Sequence, residues 1–414
     1  MLSRVANCLY WMSRYIERAD NTARIVDVNL QLLLDFRKLD DQSLTEHWMP
    51  IVESTGDEEK FFERNPKATG PSVTEFLVFD AENSNSILSS VSQARENARM
   101  VRDQITVELW EELNRLYLWI RSGDARDLWR RSPVDFFAQI RNASLLLVGT
   151  IYATVVHNEG WYFMQVGKFL ERADKITRIL DVRHTIFPTK DAPRVMTQRD
   201  ALELSAMLRS CSAWDAYKAA YGAEVRPEWV AEMLLFSDEF PRSVRFCVEK
   251  LDDSLRRISG VAPRRFSNDA EKLSGRLLAE LEYGTIEEVL AIGLHEYLDE
   301  LQVKFNVVGE ALFKAYISQP FMNLEEEIIV QQEMQQQQRG NVECRMSNDE
   351  DLRTRAFVIR HSSFSPSQSA ETGNTSWPST SHSITAHTTP TTARSPMRRM
   401  SSACVPRRIA GRKS

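Results

Sequence analysis

The chain has 414 residues, 43% apolar and 27% charged, enough for two or three domains with packed cores, and it reads as globular over most of its length. Its net charge of -6 hides a split: residues 339–414 carry 12 Lys/Arg and 5 Asp/Glu, leaving -13 for residues 1–338, and an acidic body argues against a nucleic-acid surface. The five cysteines, Cys8, Cys211, Cys247, Cys344 and Cys404, fall in no CxxC spacing, so neither a zinc site nor a disulfide framework is indicated and no metal or cofactor is assigned.

Helical periodicity runs through the chain, Gly and Pro are sparse before residue 340, and no stretch alternates with period two. The spacing predicts an all-α protein with helices over about 3–36, 43–54, 73–79, 86–121, 133–157, 161–184, 198–221, 227–236, 241–259, 267–281, 286–318 and 323–338. The first of these has Arg4, Arg14, Glu17 and Arg18 among its apolar residues, unlike a signal peptide, and a reducing, cytoplasmic setting is expected. The uncharged run from Asn142 to Asn158 is 17 residues, shorter than a bilayer span, and is expected to be a buried core helix. Trp110, Leu113 and Tyr117 share one helix face, suited to packing or to a partner groove. From Leu324 the chain becomes Glu- and Gln-rich, and beyond Arg339 a basic, Ser/Thr-rich tail is expected to be disordered.

Within this pattern the chain repeats itself. Glu17-Arg-Ala-Asp20-x-x-x-Arg24-Ile-x-Asp27-Val28 returns as Glu171-Arg-Ala-Asp174-x-x-x-Arg178-Ile-x-Asp181-Val182, eight matches in twelve at an offset of 154. Phe79-x-x-Glu82-x-x-x-Ser86-Ile87 answers to Phe236-x-x-Glu239-x-x-x-Ser243-Val244 at an offset of 157. Val73-x-Glu75-x-Leu77 pairs with Val230-x-Glu232-x-Leu234, and Arg99 falls on Arg256. The expected plan is an internally duplicated helical bundle with pseudo-two-fold related halves, residues 1–157 and 158–318, followed by a terminal helix or linker at 319–338 and the tail at 339–414.

What repeats is charge. On a helical wheel Glu17, Asp20, Arg24 and Asp27 fall within about 80° of one another, flanked on both edges by apolar residues, so they form a seam entering the interior. Glu171, Asp174, Arg178 and Asp181 repeat it. Charges placed there persist only when paired. Asp20 with Arg24 and Arg24 with Asp27 have pairing spacings within the helix. Glu17 and Glu171 are offered Arg14 and Lys168 three residues earlier, and Arg95, Arg99 and Arg102 from another helix.

Three uses of the seam follow. It is a register-fixing ion-pair network; or a pocket where Glu17 and Glu171 face each other, candidates for a general base, with Arg18, Arg95, Arg99 and Arg172 binding an anion; or a carboxylate site of Glu17, Asp20, Glu171 and Asp174 for magnesium or manganese. The remaining ligand-binding candidates are Arg24, Arg178 and His295, the last read first as a hydrogen-bonded core histidine. No P-loop, nucleophile elbow, Glu-x-x-His pair or His-Glu-x-x-His occurs.

Trp11-Met-Ser-Arg-Tyr-Ile-Glu-Arg-Ala-Asp20, Phe79-Asp80-x-x-Asn83 leading to Ser86-Ile87, Ala94-Arg-Glu-Asn-Ala-Arg99, Glu159-Gly-Trp161 followed by Leu170-Glu-Arg-Ala-Asp174, Phe240-Pro-Arg-Ser-Val244 and Gly293-Leu-His-Glu296 together resemble the bacterial alpha-E family of helical proteins named for a Glu-Arg motif. The resemblance covers residues 1–318; Ser84 departs from it where proline is usual. It implies a bacterial cytoplasmic protein associated with an ATP-grasp-type ligase and a transglutaminase-like protein. The function expected is a non-catalytic partner or substrate-presenting scaffold in peptide ligation or modification. The alternatives are an enzyme acting on an acidic peptide or phosphorylated substrate at a Glu/Arg-lined pocket, and a homo-oligomer without ligand; no nucleic acid or membrane is implied.

Overall fold

Side-chain helix caps recur along this chain and mark where many of its helices begin. In the computed structural model residues 1–35, 41–188, 195–262 and 265–318 are described, and all lie within one compact unit, Met1–Glu327. The sequence expectations for 323–338 and for the tail fall outside the described residues.

The helices are α1 (Ser3–Asp35), α2 (Asp41–Glu53), α3 (Glu58–Phe62), α4 (Gly70–Thr74), α5 (Ile87–Met100), α6 (Val107–Ile120), α7 (Gly123–Arg131), α8 (Pro133–Thr154), α9 (Glu159–Asp181), α10 (Gln198–Ser210), α11 (Trp214–Tyr221), α12 (Pro227–Phe236), α13 (Val244–Ser259), α14 (Asp269–Tyr283), α15 (Ile286–Ile292) and α16 (Leu294–Leu312). No strand occurs among the described residues, so the all-α expectation holds. No described helix is long and apolar enough to cross a membrane.

Side-chain oxygens start most of these helices by accepting an otherwise unpaired N–H of the first turn. Ser86 accepts from Ser89 to open α5, and Ser243 from Phe246 to open α13. Thr106, Asn158 and Asn268 cap α6, α9 and α14, and Thr197 and Thr285 form capping boxes on α10 and α15.

Three long predicted helices are broken, each for a local reason. The stretch 86–121 divides because Thr106 caps a new start and turns the chain after Val101. The stretch 198–221 divides at Ser212, which has a positive φ of 55°, and 286–318 divides at Gly293, φ 119°, a conformation that costs a side-chain-bearing residue. The short helices α3 and α7 were not predicted, and the predicted helix 73–79 is a π-helical turn, Glu75–Phe79, following α4.

The core sits along α1 and α9. Helix α1 packs on α9, α5 and α8, with α6 bridging α5 and α8; helix α9 packs on α13 and α16, with α14 bridging those two. Leu9, Met12, Ile16, Ala19, Ala23 and Val26 of α1 are buried, as are Phe163, Val166, Leu170, Ala173, Ile176 and Leu180 of α9. Each of these side chains larger than alanine contributes about 1.5–3 kcal/mol relative to exposure. The helix expected to be wholly buried, α8, is half so. It buries Ser144, Leu147 and Ile151 but exposes Leu145, Leu146 and Tyr152.

The α1–α9 crossing is close enough that a Cβ at Gly167 would overlap the main-chain oxygen of Tyr10, an atom that cannot rotate away. Gly149, by contrast, has open space around it on α8. Gly167→Ala is therefore expected to destabilise the protein by about 3 kcal/mol through overpacking. Gly149→Ala is expected to stabilise it by about 0.5–1 kcal/mol through helix propensity. Urea denaturation of the two variants checks both signs.

Candidate functional site

The charged stripes of α1 and α9 meet in the interior, and the pairing is reciprocal across the crossing. Glu171 is fully buried and accepts Arg18 Nε at 2.6 Å, Arg18 Nη2 at 3.0 Å and Arg14 Nε at 2.8 Å. Glu17 is also buried and accepts Arg172 Nε at 2.7 Å and Arg172 Nη2 at 2.8 Å, with Arg242 Nη1 at 3.3 Å. Both are fork geometries that a lysine cannot reproduce. Burial alone raises a carboxyl, but the Arg172 and Arg242 guanidiniums outweigh it and hold Glu17 down to about 2. Against the same burial, Arg18 and Arg14 hold Glu171 far below the usual carboxylate range.

The glutamates therefore do not face each other, as one reading of the sequence had them; each faces the other helix's arginine. Arg14 does not serve Glu17 on its own helix but reaches Glu171. Lys168 donates to Gln165 Oε1 at 2.7 Å and Tyr152 Oη at 3.1 Å, and burial, helped by Arg172, pushes its ammonium down to about 7. Asp20 and Asp174 hold Arg24 and Arg178 at 2.8 and 2.9 Å, the expected one-turn pairs. The other expected pair, Arg24 with Asp27, is replaced: Arg24 Nη1 donates to Ser212 Oγ at 2.7 Å, and Asp27 takes Gln31 and Arg141.

Arg95 and Arg99 stand away from the seam. Arg95 donates to Asn114 and Glu96 and lies over the rings of Trp110 and Tyr117, and Arg99 sits exposed on Glu96. Those rings thus pack within the chain on an arginine that had been assigned to the seam. The donor that the sequence reading missed is Arg242, whose Nη2 reaches Asp20 Oδ2 at 2.6 Å and whose Nη1 reaches Asn21 Oδ1 at 2.9 Å. Its signal was present: it precedes the Ser243 cap as Asn85 precedes the Ser86 cap, 157 positions earlier.

This difference makes the two ends of the seam unlike. At the Glu17 end the long Arg242 side chain fills the interior. At the Glu171 end the shorter Asn85 accepts Arg18 Nη1 at 3.0 Å and donates to Asp57 at 2.6 Å, and beside it lies a cavity of about 500 Å³. Trp11, Arg14, Arg18, Lys175 and Arg178 line one side and the end of α16 with Lys314 and Glu310 the other. Five basic side chains face it against the carboxylates of Asp174 and Glu310. The Lys175 ammonium, 12% exposed, has its nearest carboxylate, Asp174, at 3.9 Å, beyond hydrogen-bonding distance. Burial lowers its affinity for a proton, a cost that an incoming anion would relieve.

The carboxylate metal set of the sequence reading does not assemble, because guanidiniums occupy Glu17, Asp20, Glu171 and Asp174 and would repel a cation. His295 is not a core residue: its side chain is 48% exposed, and its Nδ1 lies 2.6 Å from Asp181 Oδ1. His184 stacks on it at 4.8 Å between ring centroids. Cys8, Cys211 and Cys247 are buried and unbridged, and burial pushes the latter two thiols up to about 12, unsuited to nucleophilic attack.

Comparison with known proteins places this geometry in context. A family model, Alpha-E, described as a predicted alpha-helical domain with a conserved ER motif, matches residues 1–317. An uncharacterized protein of Mycobacterium bovis and two of Mycobacterium tuberculosis are each 27% identical over 317 residues, covering 72% of this chain and 34% of the relative. The chain thus spans about a third of the length of these curated relatives. No solved structure matches the chain.

Glu17→Gln leaves two buried guanidiniums short of a counter-charge and is expected to cost about 3–5 kcal/mol. A melt that does not fall would remove the structural role assigned to the pair. Because the folded-state affinity of Glu17 for protons is depressed, its contribution is complete above about pH 4.3, the ordinary glutamate range. It is lost as pH falls toward about 2. Urea midpoints of wild type and Glu17→Gln should therefore converge over that interval, and a constant gap would disprove the assignment.

Proposed function

The chain belongs to the Alpha-E family, and from that premise we propose that it is a non-catalytic, substrate-presenting partner in a bacterial peptide ligation or modification system. The partner expected is an ATP-grasp-type ligase, with a transglutaminase-like protein as a further associate, in the cytoplasm. On this reading the basic cavity receives a carboxylate of an acidic peptide, and residues 1–157 and 158–318 are duplicated halves related by a pseudo-two-fold axis.

The observation that carries the proposal is Lys175, a nearly buried ammonium facing a cavity beside Arg14, Arg18 and Arg178 with no carboxylate at hydrogen-bonding distance. Guanidinium forks and an ammonium suit a carboxylate, and Trp11 offers a flat apolar wall for the adjoining chain. The duplicated plan is supported by the matching packing of α1, α5, α6 and α8 and of α9, α13, α14 and α16. It is supported too by the reciprocal Glu17–Arg172 and Glu171–Arg18 pairs. In the mycobacterial relatives about two thirds of the length lies outside the match, which favours a part that works beside another polypeptide.

The enzymatic reading is weaker on physical grounds. A general base works best with a proton affinity near the operating pH. Glu17 and Glu171 are both held far below it, with their oxygens engaged by arginine.

Lys175→Met removes a nearly buried charge that has no carboxylate at hydrogen-bonding distance, so its thermal midpoint should equal or exceed wild type. Its affinity for a short Glu-rich peptide, measured by calorimetry, should fall at least tenfold; unchanged affinity would refute the cavity as the binding site. Tagged at native level, the chain should co-purify with an ATP-grasp protein in near-equal amount, and a chain trimmed after Gln338 should do the same. Recovery of the chain alone would overturn the partner role.

A further inference from the structure

Away from the basic cavity, and sharing no residue with it, the last turn of α9 carries a second constellation. Asp181 closes that helix, His184 stands in the 3-10 turn His184–Ile186, and His295 is the second residue of α16. The ligating atoms these three residues offer all lie within 4.8 Å of one another. His295 Nδ1 is 2.6 Å from Asp181 Oδ1, and His184 Nδ1 is 3.8 Å from the same oxygen. His184 Nδ1 also lies 2.7 Å from the main-chain oxygen of Asp181; donating there leaves its Nε2 lone pair free, the arrangement that orients metal-binding imidazoles.

A contrast within the chain sharpens the point. Asp27, at the corresponding place on α1, is paired with Arg141, and Asp181 with His295; both partners lie 114 residues downstream. Leu30 stands 154 positions before His184. In the first arrangement the carboxylate meets a guanidinium, which has no lone pair, and the amide N–H of Gln31, with Leu30 where the second has His184. In the second it meets two imidazoles, which have one. A need for charge neutralisation alone would be served by the arginine; two stacked nitrogen donors around one oxygen are the donor set of a borderline-soft divalent ion.

We propose that Asp181, His184 and His295 bind a divalent transition-metal ion, with Zn²⁺ the best match to two nitrogen donors and one oxygen donor. Bonds of about 2.1 Å to a tetrahedral ion set neighbouring ligand atoms about 3.4 Å apart. The His295–Asp181 approach therefore opens by under 1 Å and the widest separation, 4.8 Å, closes by about 1.4 Å, within reach of side chains 21–48% exposed. The negative end of α9 favours the cation and the positive start of α16 opposes it, so the site depends on its three donors. Three protein ligands leave a fourth position open to water or to a donor from a partner. The ion would tie the end of α9 to the start of α16, two helices that also border the basic cavity.

The test uses the full chain stripped of metal, with Zn²⁺ as the calorimetric probe and Co²⁺ as the spectroscopic one. Because the tail adds His361, His382, His387, Cys344 and Cys404, the quantity read is the difference between wild type and the Asp181→Asn/His184→Ala/His295→Ala variant. One equivalent should be lost in the triple variant. His184→Ala and His295→Ala should each weaken that equivalent by at least tenfold while keeping wild-type helicity by circular dichroism. The cobalt difference spectrum should show a tetrahedral visible band without thiolate charge transfer. Equal Zn²⁺ uptake by wild type and the triple variant, or a difference spectrum of thiolate character, would overturn the proposal. If the triple variant fails to fold, His295→Gln decides, since it keeps a hydrogen bond to Asp181 but cannot supply the imidazole: undiminished affinity there also overturns it.

Discussion

Two glutamates buried on opposing helices, each neutralised by an arginine from the other helix, are the constraint around which this fold is arranged. Either helix alone would present carboxylates and guanidiniums to an apolar interior, a cost of several kcal/mol per ion. Crossed as they are, Glu17 with Arg172 and Glu171 with Arg18 satisfy one another. The pairing acts as an alignment key as well as a contact. A slip of one turn along α1 would separate both forks at once, and Gly167 admits the main chain of Tyr10 only at the matching height. The surrounding helices then pack on a pair whose register is already determined.

Around that reciprocal pairing the two ends differ through the length of one side chain. Arg242 extends to Glu17, Asp20 and Asn21 and fills its end of the seam. Asn85 serves only Arg18 and Asp57, and the space it does not occupy adjoins the cavity beside Lys175. At the outer ends the same theme recurs, with Asp27 held by an arginine and Asp181 by imidazoles. The framework charges stay in place at both ends, and what surrounds them differs.

Much of this was legible in the sequence because charge at three- and four-residue spacing, flanked by apolar residues, is what a buried seam requires. The recurrence of Glu17-Arg18 as Glu171-Arg172 singled out the right residues and the right helices. A helical wheel gives a face but not the identity of the residue opposite it, and so Arg14 was assigned to the wrong glutamate and Arg95 to the wrong neighbourhood. Arg95 of α5 packs instead against α6, held by Asn114 and two aromatic rings. The breaks at Ser212 and Gly293 were hidden because apolar periodicity continues across them. The cavity and the Asp181 cluster were not legible at all, since each gathers residues from several helices that no local spacing connects.

The reciprocal pairing also bears on how the chain is made. Arg172 and Arg242 lie 155 and 225 residues beyond Glu17, so α1 emerges from the ribosome long before its counter-ions exist. Glu17 and the apolar surface of α1 that faces α9 have no complement until α9 has been synthesised. The amino-terminal helix therefore cannot complete its packing before the second half of the fold is made. Contacts of such long range are the last that the growing chain can close.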